Sequence, residues 1–399
     1  MRQKKILFLG GAFAQIPIIH EARKRGMHIV TCDYMPENPG HRLADEYFNV
    51  STTDFEGVLK LATKVEPDFI LAYASDPAAP TAAYVSEILG LPGNSYQSVR
   101  NLCEKDVFRN LLKGNGFNTP EFFLINENNN VHEKKSGLSF PYIIKPTDSS
   151  GSKGITKVYE QAGVEAAIKY ALRFSRNQRI IAEELIETNE KQLHGDGFVL
   201  DGKLVFSYLG DHHYDKKVNP FVPFSTTWPS TRNKEEIHRI EECVDNAIHL
   251  SGYKNGPVNI EARITDNGEI YIMEIGPRSG GNFVPQIINY ATGFDMVGAT
   301  LDILMGKKVL WQPARRENAA YYVIYSETDG TLDRLVISNK LKPYIKEYHQ
   351  YIKSGGKVSS FQGANAAIGI LLMTFNDHET MEYIISNMRE FVDLKIVQH

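Results

Sequence analysis

Apolar and polar positions divide the chain into stretches with different periods. Lys5 to Leu9 reads as a buried strand, Gly10-Gly11 as a turn, Ile16 to Arg25 as a helix and His28 to Cys32 as a second strand. Phe55 to Val65 is spaced as a helix, and Phe69 to Ala72, after Pro67-Asp68, as another strand. Strands alternating with helices specify a doubly wound parallel sheet covered by helices. The pattern changes near Gly114-Asn115-Gly116 and at the polar run Asn126 to Lys135, both read as loops. Short strands follow at Tyr142 to Lys145, Ile180 to Glu183, Gly197 to Leu200 and Leu204 to Leu209, the last two joined by the two-residue turn Asp201-Gly202. That is antiparallel α+β. Arg232 to Ser251 is an amphipathic helix with Ile237, Ile240, Val244, Ala247 and Ile248 on one face. Two strands flank Asp266-Asn267-Gly268. A last α+β unit holds the strand Ala319 to Ser326, a turn at Asp329-Gly330, the strand Gly369 to Thr374 and the helix Glu379 to Phe391.

Composition narrows the partners. The 399 residues carry 44 Lys+Arg against 48 Asp+Glu, a net charge of −4, which supplies no field for nucleic acid or an anionic membrane surface. The longest apolar run, Ala366 to Phe375, is about half of the ~20 residues a membrane helix needs. The start, MRQKKILFLGGAFAQ, imitates a signal peptide, with Ala12-Phe13-Ala14 as its cleavage site, but reads better as strand, glycine turn and helix. Cys32, Cys103 and Cys243 lie far apart with no CxxC spacing, so neither a disulfide framework nor a thiolate zinc site is expected, and a reducing cytoplasm is.

Two segments carry chemistry. In Lys145-Pro146-Thr147-Asp148-Ser149-Ser150-Gly151-Ser152-Lys153-Gly154 a lysine ends a strand and a loop of small residues follows, placing a fixed cation beside free backbone N–H groups. Phosphate suits that arrangement, although it is not a P-loop, because the lysine precedes the glycines. In the second segment, strands joined at Asn267-Gly268 bring Glu261 and Glu274 side by side among apolar residues. Two such carboxylates repel unless a hard cation such as Mg²⁺ neutralises them; the alternative is a pair of exposed strand glutamates, paired with Arg263. Arg278 adds a planar donor for carboxylate or phosphate. Gly10-Gly11 and Asp33 suggest a dinucleotide site and a nicotinamide-dependent oxidoreductase, but GGAFAQ lacks the GxGxxG spacing.

Taken in order, Glu104-Lys105-Asp106 with Arg109, Lys145 with its glycine loop, Ala182-Glu183-Glu184-Leu185-Ile186, and the Glu261/Glu274/Arg278 set resemble the ATP-grasp superfamily over nearly the whole chain. The terminal unit, and Thr81 to Val85 with Leu89 to Asn94, are similar to the branch holding biotin carboxylase, carbamoyl phosphate synthetase and purine ligases. The resemblance implies a parallel α/β domain over 1–115, an ATP-grasp lid subdomain over 116–186, a large subdomain with the metal site over 187–306 and a small domain over 307–399. It implies that Lys105 and Lys145 contact ATP phosphates under a closing loop of Ser149, Ser150, Gly151, Ser152 and Gly154. The segment Glu183, Glu184 and Ile186 would read adenine through its backbone, and Gln192, with Glu190 as competitor, would hold the ribose. Glu261 and Glu274 would bind Mg²⁺, or Mn²⁺, with Lys145 and Arg278 as catalytic residues.

The implied reaction is ADP-forming ligation of a small carboxylate, an amino acid among the favoured candidates, to an amine or similar nucleophile through an acyl phosphate. The substrate pocket is expected near Gly210 to Tyr214 and Phe224 to Trp228, facing Arg278 and Ser279. His212 and His213 are adjacent on a strand, so one at most faces it. A homodimer is a family-level expectation. The family pattern Glu-x-Asn-x-Arg is broken here as Glu274-Ile275-Gly276-Pro277-Arg278. Either water or Asn259 then completes the metal shell, or a second metal is weak; an ATP-binding regulator without turnover is the alternative that Gly276 motivates.

Overall fold

The computed structural model describes residues 2–125, 137–189, 191–309 and 315–398. The chain opens with β1 (Lys5–Leu9), α1 (Ile16–Lys24), β2 (His28–Cys32), β3 (Glu46–Phe48), α2 (Phe55–Val65), β4 (Phe69–Leu71), α3 (Ala79–Ile88), α4 (Tyr96–Cys103) and α5 (Lys105–Gly114). The four strands form one parallel sheet in the order β3-β2-β1-β4. β3 was not expected: three half-buried residues at a sheet edge leave too short a pattern to read.

A second sheet comprises β5 (Phe122–Ile125), β6 (Tyr142–Pro146), β7 (Thr156–Val158) and β8 (Ile180–Glu184), ordered β5-β8-β6-β7, with α6 (Val164–Leu172) on one side. The expected loop Asn126 to Lys135 and Glu190 lie outside the described residues.

The rest of the chain contributes β9 (Leu193–Leu200), β10 (Lys203–Asp215), β11 (Asn219–Trp228), α7 (Lys234–Ser251), β12 (Gly256–Ile264), β13 (Ile270–Gly276), α8 (Val284–Thr292), α9 (Met296–Leu304), β14 (Asn318–Ile324), β15 (Gly330–Ile337), β16 (Ile345–Gln350), β17 (Lys357–Val358), β18 (Gly369–Phe375), α10 (His378–Ser386) and β19 (Val392–Val397). Eight of these strands make one sheet, β13-β12-β9-β10-β11-β14-β18-β16, and β14 joins it by pairing antiparallel with β11. β17, β15 and β19 form a small separate sheet.

Local chemistry explains these elements. Asp201 and Gly202 both have positive φ, 51° and 79°, as a two-residue hairpin loop requires. Asn233 caps α7 in a reciprocal capping box with Glu236, and Gly252 ends the helix at φ 79°, so α7 starts two residues later than the apolar pattern indicated. Its buried face is Ile240, Val244, Ala247 and Ile248. β9 and β10 run well beyond the predicted strands, because His194, Gly195 and Asp196, and then Gly210 to Asp215, interrupt the apolar signal while remaining in the ladder. α10 ends at Ser386, five residues before the predicted Phe391, and a short 3-10 turn, Met388–Glu390, follows.

One core, which includes Leu7, Val58, Val85, Phe108, Val244, Val258 and Ile272, runs unbroken from the parallel sheet to the strands bearing Glu261 and Glu274. Among the described residues no helix is long and apolar enough to cross a membrane.

Candidate active site

The site is assembled around a buried arginine. Arg109, on α5, is fully buried, and its Nε donates to Glu183 Oε1 at 3.0 Å. Lys145 Nζ lies 2.5 Å from the other oxygen, Glu183 Oε2. Despite the cost of burial, the two cations hold Glu183 down to about 2, while burial pushes Lys145 below the ordinary lysine range even beside that carboxylate. Arg109 also donates from Nη1 to Ile272 O at 3.3 Å and from Nη2 to Met273 O at 2.8 Å.

Those two carbonyls belong to a β-bulge. In the β12–β13 ladder Ala262 pairs with Ile272 but Glu261 with Glu274, so Met273 is the extra residue. Without it Glu261 would oppose Met273. The bulge thus brings the two carboxylates together on one face. Glu274 Oε2 is 3.2 Å from Lys105 Nζ, and Lys105 also donates to Ser149 O at 2.8 Å. Burial and the charge of Glu274 push Glu261 up to about 7. Burial acts on Glu274 too, yet Lys105 and Arg278 hold it below the ordinary range.

Glu261 Oε2 accepts from Gln192 Nε2 at 2.7 Å, and Gln192 Oε1 accepts from Arg263 Nε at 3.0 Å. Arg263 therefore does not pair with the glutamates; its Nη1 goes to Ile186 O at 2.7 Å. Among the described residues no group of three or more His, Cys, Asp and Glu side chains could hold a metal ion. A facing carboxylate pair, one member of it pushed up by burial and by the other's charge, nonetheless fits a hard cation that takes its remaining ligands from phosphate and water. Asn259 lines the same cavity as the pair, its Nδ2 donating to Asp196 Oδ1 at 2.8 Å and lying 2.9 Å from His194 Nε2.

Lys105, Lys145, Ser149, Ser150, Gly151, Ser152, Gln192, Glu261, Glu274 and Arg278 all line one cavity of about 270 Å³. The glycine loop is docked over it, with Ser152 Oγ donating to Phe221 O at 2.7 Å. Gly154, Glu183, Glu184 and Ile186 do not line it. Gly154 (φ 78°) packs against Pro146 and Phe174; Glu183 is spent on Arg109 and Lys145; Glu184 is exposed; and the Ile186 carbonyl is taken by Arg263. The other wall comes from His212 and Tyr214 of β10 and from Pro220 to Pro223, rather than from Phe224 to Trp228 or Ser279.

Strand alternation sends His212 into the cavity and His213 to the opposite face, where it meets Thr227 Oγ1 at 2.9 Å. His212 stacks on His194 with ring centroids 4.2 Å apart, and Thr226 Oγ1 is 2.7 Å from His212 Nδ1. Burial pushes His194 down to about 3 and His212 well below its ordinary value, so both are neutral.

His194, Asn282, Tyr321 and Asp76 also line this cavity and were missed by the sequence reading. Asp76 has only a loop position, Ser75-Asp76-Pro77, to mark it. Asn282 and Phe283 have positive φ, 52° and 58°, a strain with no sequence signature of the glycine kind.

The glycine pair near the N-terminus is accounted for by packing. A Cβ on Gly11 would lie 2.3 Å from His41 Cε1, and Gly11 O accepts from Gly40 N at 2.7 Å. Asp33 accepts from Asn38 Nδ2 at 2.8 Å and from Met35 N at 3.3 Å. Contacts within the chain thus account for Gly11 and Asp33.

Comparison with known proteins agrees with this geometry. A family model described as an ATP-grasp domain matches residues 138–286. The fold is similar to that of an L-amino acid ligase from Bacillus licheniformis, with a TM-score of 0.80 and 20% identity over 100% of both chains. In sequence the chain is 23% identical over 286 residues to the formate-dependent phosphoribosylglycinamide formyltransferase of Sulfurisphaera tokodaii, covering 69% of this chain and 70% of that one. It is 24% identical over 306 residues to the carbamoyl phosphate synthase large chain of a Thermoanaerobacter species, covering 74% of this chain but only 27% of that protein. Residues 138–286 thus match an ATP-grasp domain, and the fold of the whole chain is like that of the L-amino acid ligase.

Proposed function

We propose that this protein is an ATP-dependent, ADP-forming ligase that joins a small carboxylate, an amino acid foremost, to an amine or similar nucleophile through an acyl phosphate. One observation carries the reading: Lys105, Lys145, Arg278, Glu261, Glu274 and the serine-glycine loop converge on one cavity.

In this reading Lys105 and Lys145 hold the ATP phosphates, and Ser149 to Ser152 cover them and exclude water, which would otherwise consume the acyl phosphate. Glu261 and Glu274 hold Mg²⁺, which when bound neutralises charge on the phosphates. Arg278 stabilises charge on the transferring phosphoryl group. Gln192 faces the ribose. The neutral His194–His212 wall with Tyr214 borders the acid or its nucleophile. The names of similar proteins, an amino acid ligase and a formate-dependent enzyme, support a small acid. The divisions 1–115, 116–186, 187–306 and 307–399, a homodimer and a cytoplasmic setting, which suits three free cysteines, accompany this reading.

The test is phosphate release from Mg²⁺-ATP across a panel of acid and amine pairs, with mass spectrometry of the hits. ADP and phosphate are expected only with a matched pair, and Lys145→Ala or Glu274→Ala abolishes turnover. ATP binding by calorimetry without substrate-dependent release over the whole panel would instead identify a nucleotide-binding regulator.

A further inference from the structure

Arg278 reaches out of the large subdomain to a residue more than two hundred positions earlier. Its Nε donates to Asp76 Oδ1 at 2.7 Å and its Nη2 to Asp76 Oδ2 at 2.5 Å, a two-pronged pairing, while Nη1 donates to Ser279 O at 3.0 Å. Asp76 sits between β4 and α3, after Ala74, whose φ of 53° turns the chain there. Cys103 Sγ lies 3.8 Å from its carbonyl, and Ala79 N donates to that carbonyl at 3.3 Å, so the backbone at Asp76 is held in place.

The space this ion pair occupies is the space over Gly276. A Cβ built on Gly276 would lie 2.6 Å from Asp76 Oδ1 and 3.2 Å from both Cζ and Nε of Arg278. Gly276 is in β13 and does not have the positive φ that would by itself demand glycine. Only the neighbours exclude a side chain.

We propose that Asp76 is a positioning residue for Arg278, and that residue 276 is glycine in order to admit it. The two positions form one unit: the N-terminal domain supplies the carboxylate, and the strand bearing Glu274 makes room for it. The pairing fixes the guanidinium plane, two of its N–H groups being spent on Asp76 and one on Ser279 O, so that its remaining N–H edge is presented in one orientation. It also lowers the net positive charge beside the phosphate subsite, so that Arg278 binds ground-state nucleotide less strongly than a free guanidinium would. This rests on the ligase reading for its consequence in turnover, but not for the pairing itself.

The test is a cycle of Asp76→Ala, Gly276→Asn and the double variant, with Asp76→Asn as the conservative probe. Each is measured by urea midpoint, by Mg²⁺-ATP affinity in calorimetry and, with a pair that the wild type turns over, by kcat and KM. Asp76→Ala is expected to lower kcat by about 100-fold, the scale of a small misplacement of a catalytic group, while nucleotide affinity is kept or raised. A merely structural role would weaken both together. Asp76→Asn keeps the shape and recovers part of kcat. Gly276→Asn alone lowers the urea midpoint and nucleotide affinity, and adding Asp76→Ala restores at least half of both losses. Additive losses in the double variant, or full kcat in Asp76→Ala, overturn the proposal. If the wild type binds nucleotide but turns over no pair, the ligase reading fails, and the midpoint and affinity cycle still decides the pairing.

Discussion

Lys145 and Glu183 are diagonal neighbours on adjacent antiparallel strands, Ile143 opposing Glu183 and Lys145 opposing Ile181, and their side chains meet at 2.5 Å. The contact is almost wholly buried and depends on Arg109, which takes the second oxygen of the same carboxylate. A buried lysine beside a twice-paired carboxylate is held in one place before any ligand arrives.

Arg109 also holds the bulge at Met273, so Arg109→Lys acts at two places at once. The charge is kept but the fork is lost, leaving Glu183 singly paired and the bulge carbonyls without donors. Breaking a buried pair of this kind costs about 3–5 kcal/mol, and the expected loss is near the lower figure because lysine keeps the charge. Urea unfolding measures it. If nucleotide affinity also falls while a matched-stability control elsewhere in the core keeps it, the arginine sets the site; unchanged affinity would confine its role to folding.

The stacked histidines make stability depend on pH. His194 is held down to about 3, so between its ordinary value near 6.5 and 3 the unfolded chain binds a proton that the folded chain refuses. Its contribution is fully present above about pH 6.5 and is lost as pH falls toward 3. Burial pushes Asp196 up to about 6 and Glu261 up to about 7, and both shift the balance the other way, so the wild-type curve is flattened. The difference between wild type and His194→Gln isolates the histidine. From pH 6.5 downward the variant should gain on the wild type by about 1.4 kcal/mol per pH unit, and parallel urea curves would refute this.

Gly154 anchors the end of the loop over the cavity. Its φ of 78° disfavours any side chain, and a Cβ there would meet Pro146 Cγ at 2.8 Å. Gly154→Ala should cost about 1–2 kcal/mol from the left-handed backbone alone, plus the displacement of Pro146, which follows Lys145 directly. Nucleotide affinity is expected to fall with it. Ser150→Ala, on the same loop but without a packing clash, serves as the comparison, and equal effects from the two would count against the backbone argument.

Much of the site was legible because its signals are local. Lys145 at a strand end before a loop of small residues, and two glutamates either side of Asn267-Gly268, need only strand period and turn chemistry to be read. Glu183, Glu184 and Ile186 were placed by resemblance alone, through their backbones; none of them lines the cavity, and the structure pairs the Glu183 side chain with Arg109 and the Ile186 carbonyl with Arg263. His194 and His212 stood where polar residues break the apolar pattern, so β9 and β10 looked shorter than they are.

The sequence by itself determined the parallel sheet, the hairpins, the capped helix α7 and the set of charged residues available for chemistry, since each depends on residues a few positions apart. Tertiary structure decided which of those residues meet. A single extra residue at Met273 turns Glu274 to the face of Glu261, a buried arginine from another helix holds that bulge, and Asp76 reaches Arg278 across 202 positions of chain. Register shifts and long-range ion pairs are settled by which packing buries the most apolar surface while pairing every buried charge, and no local pattern carries that sum.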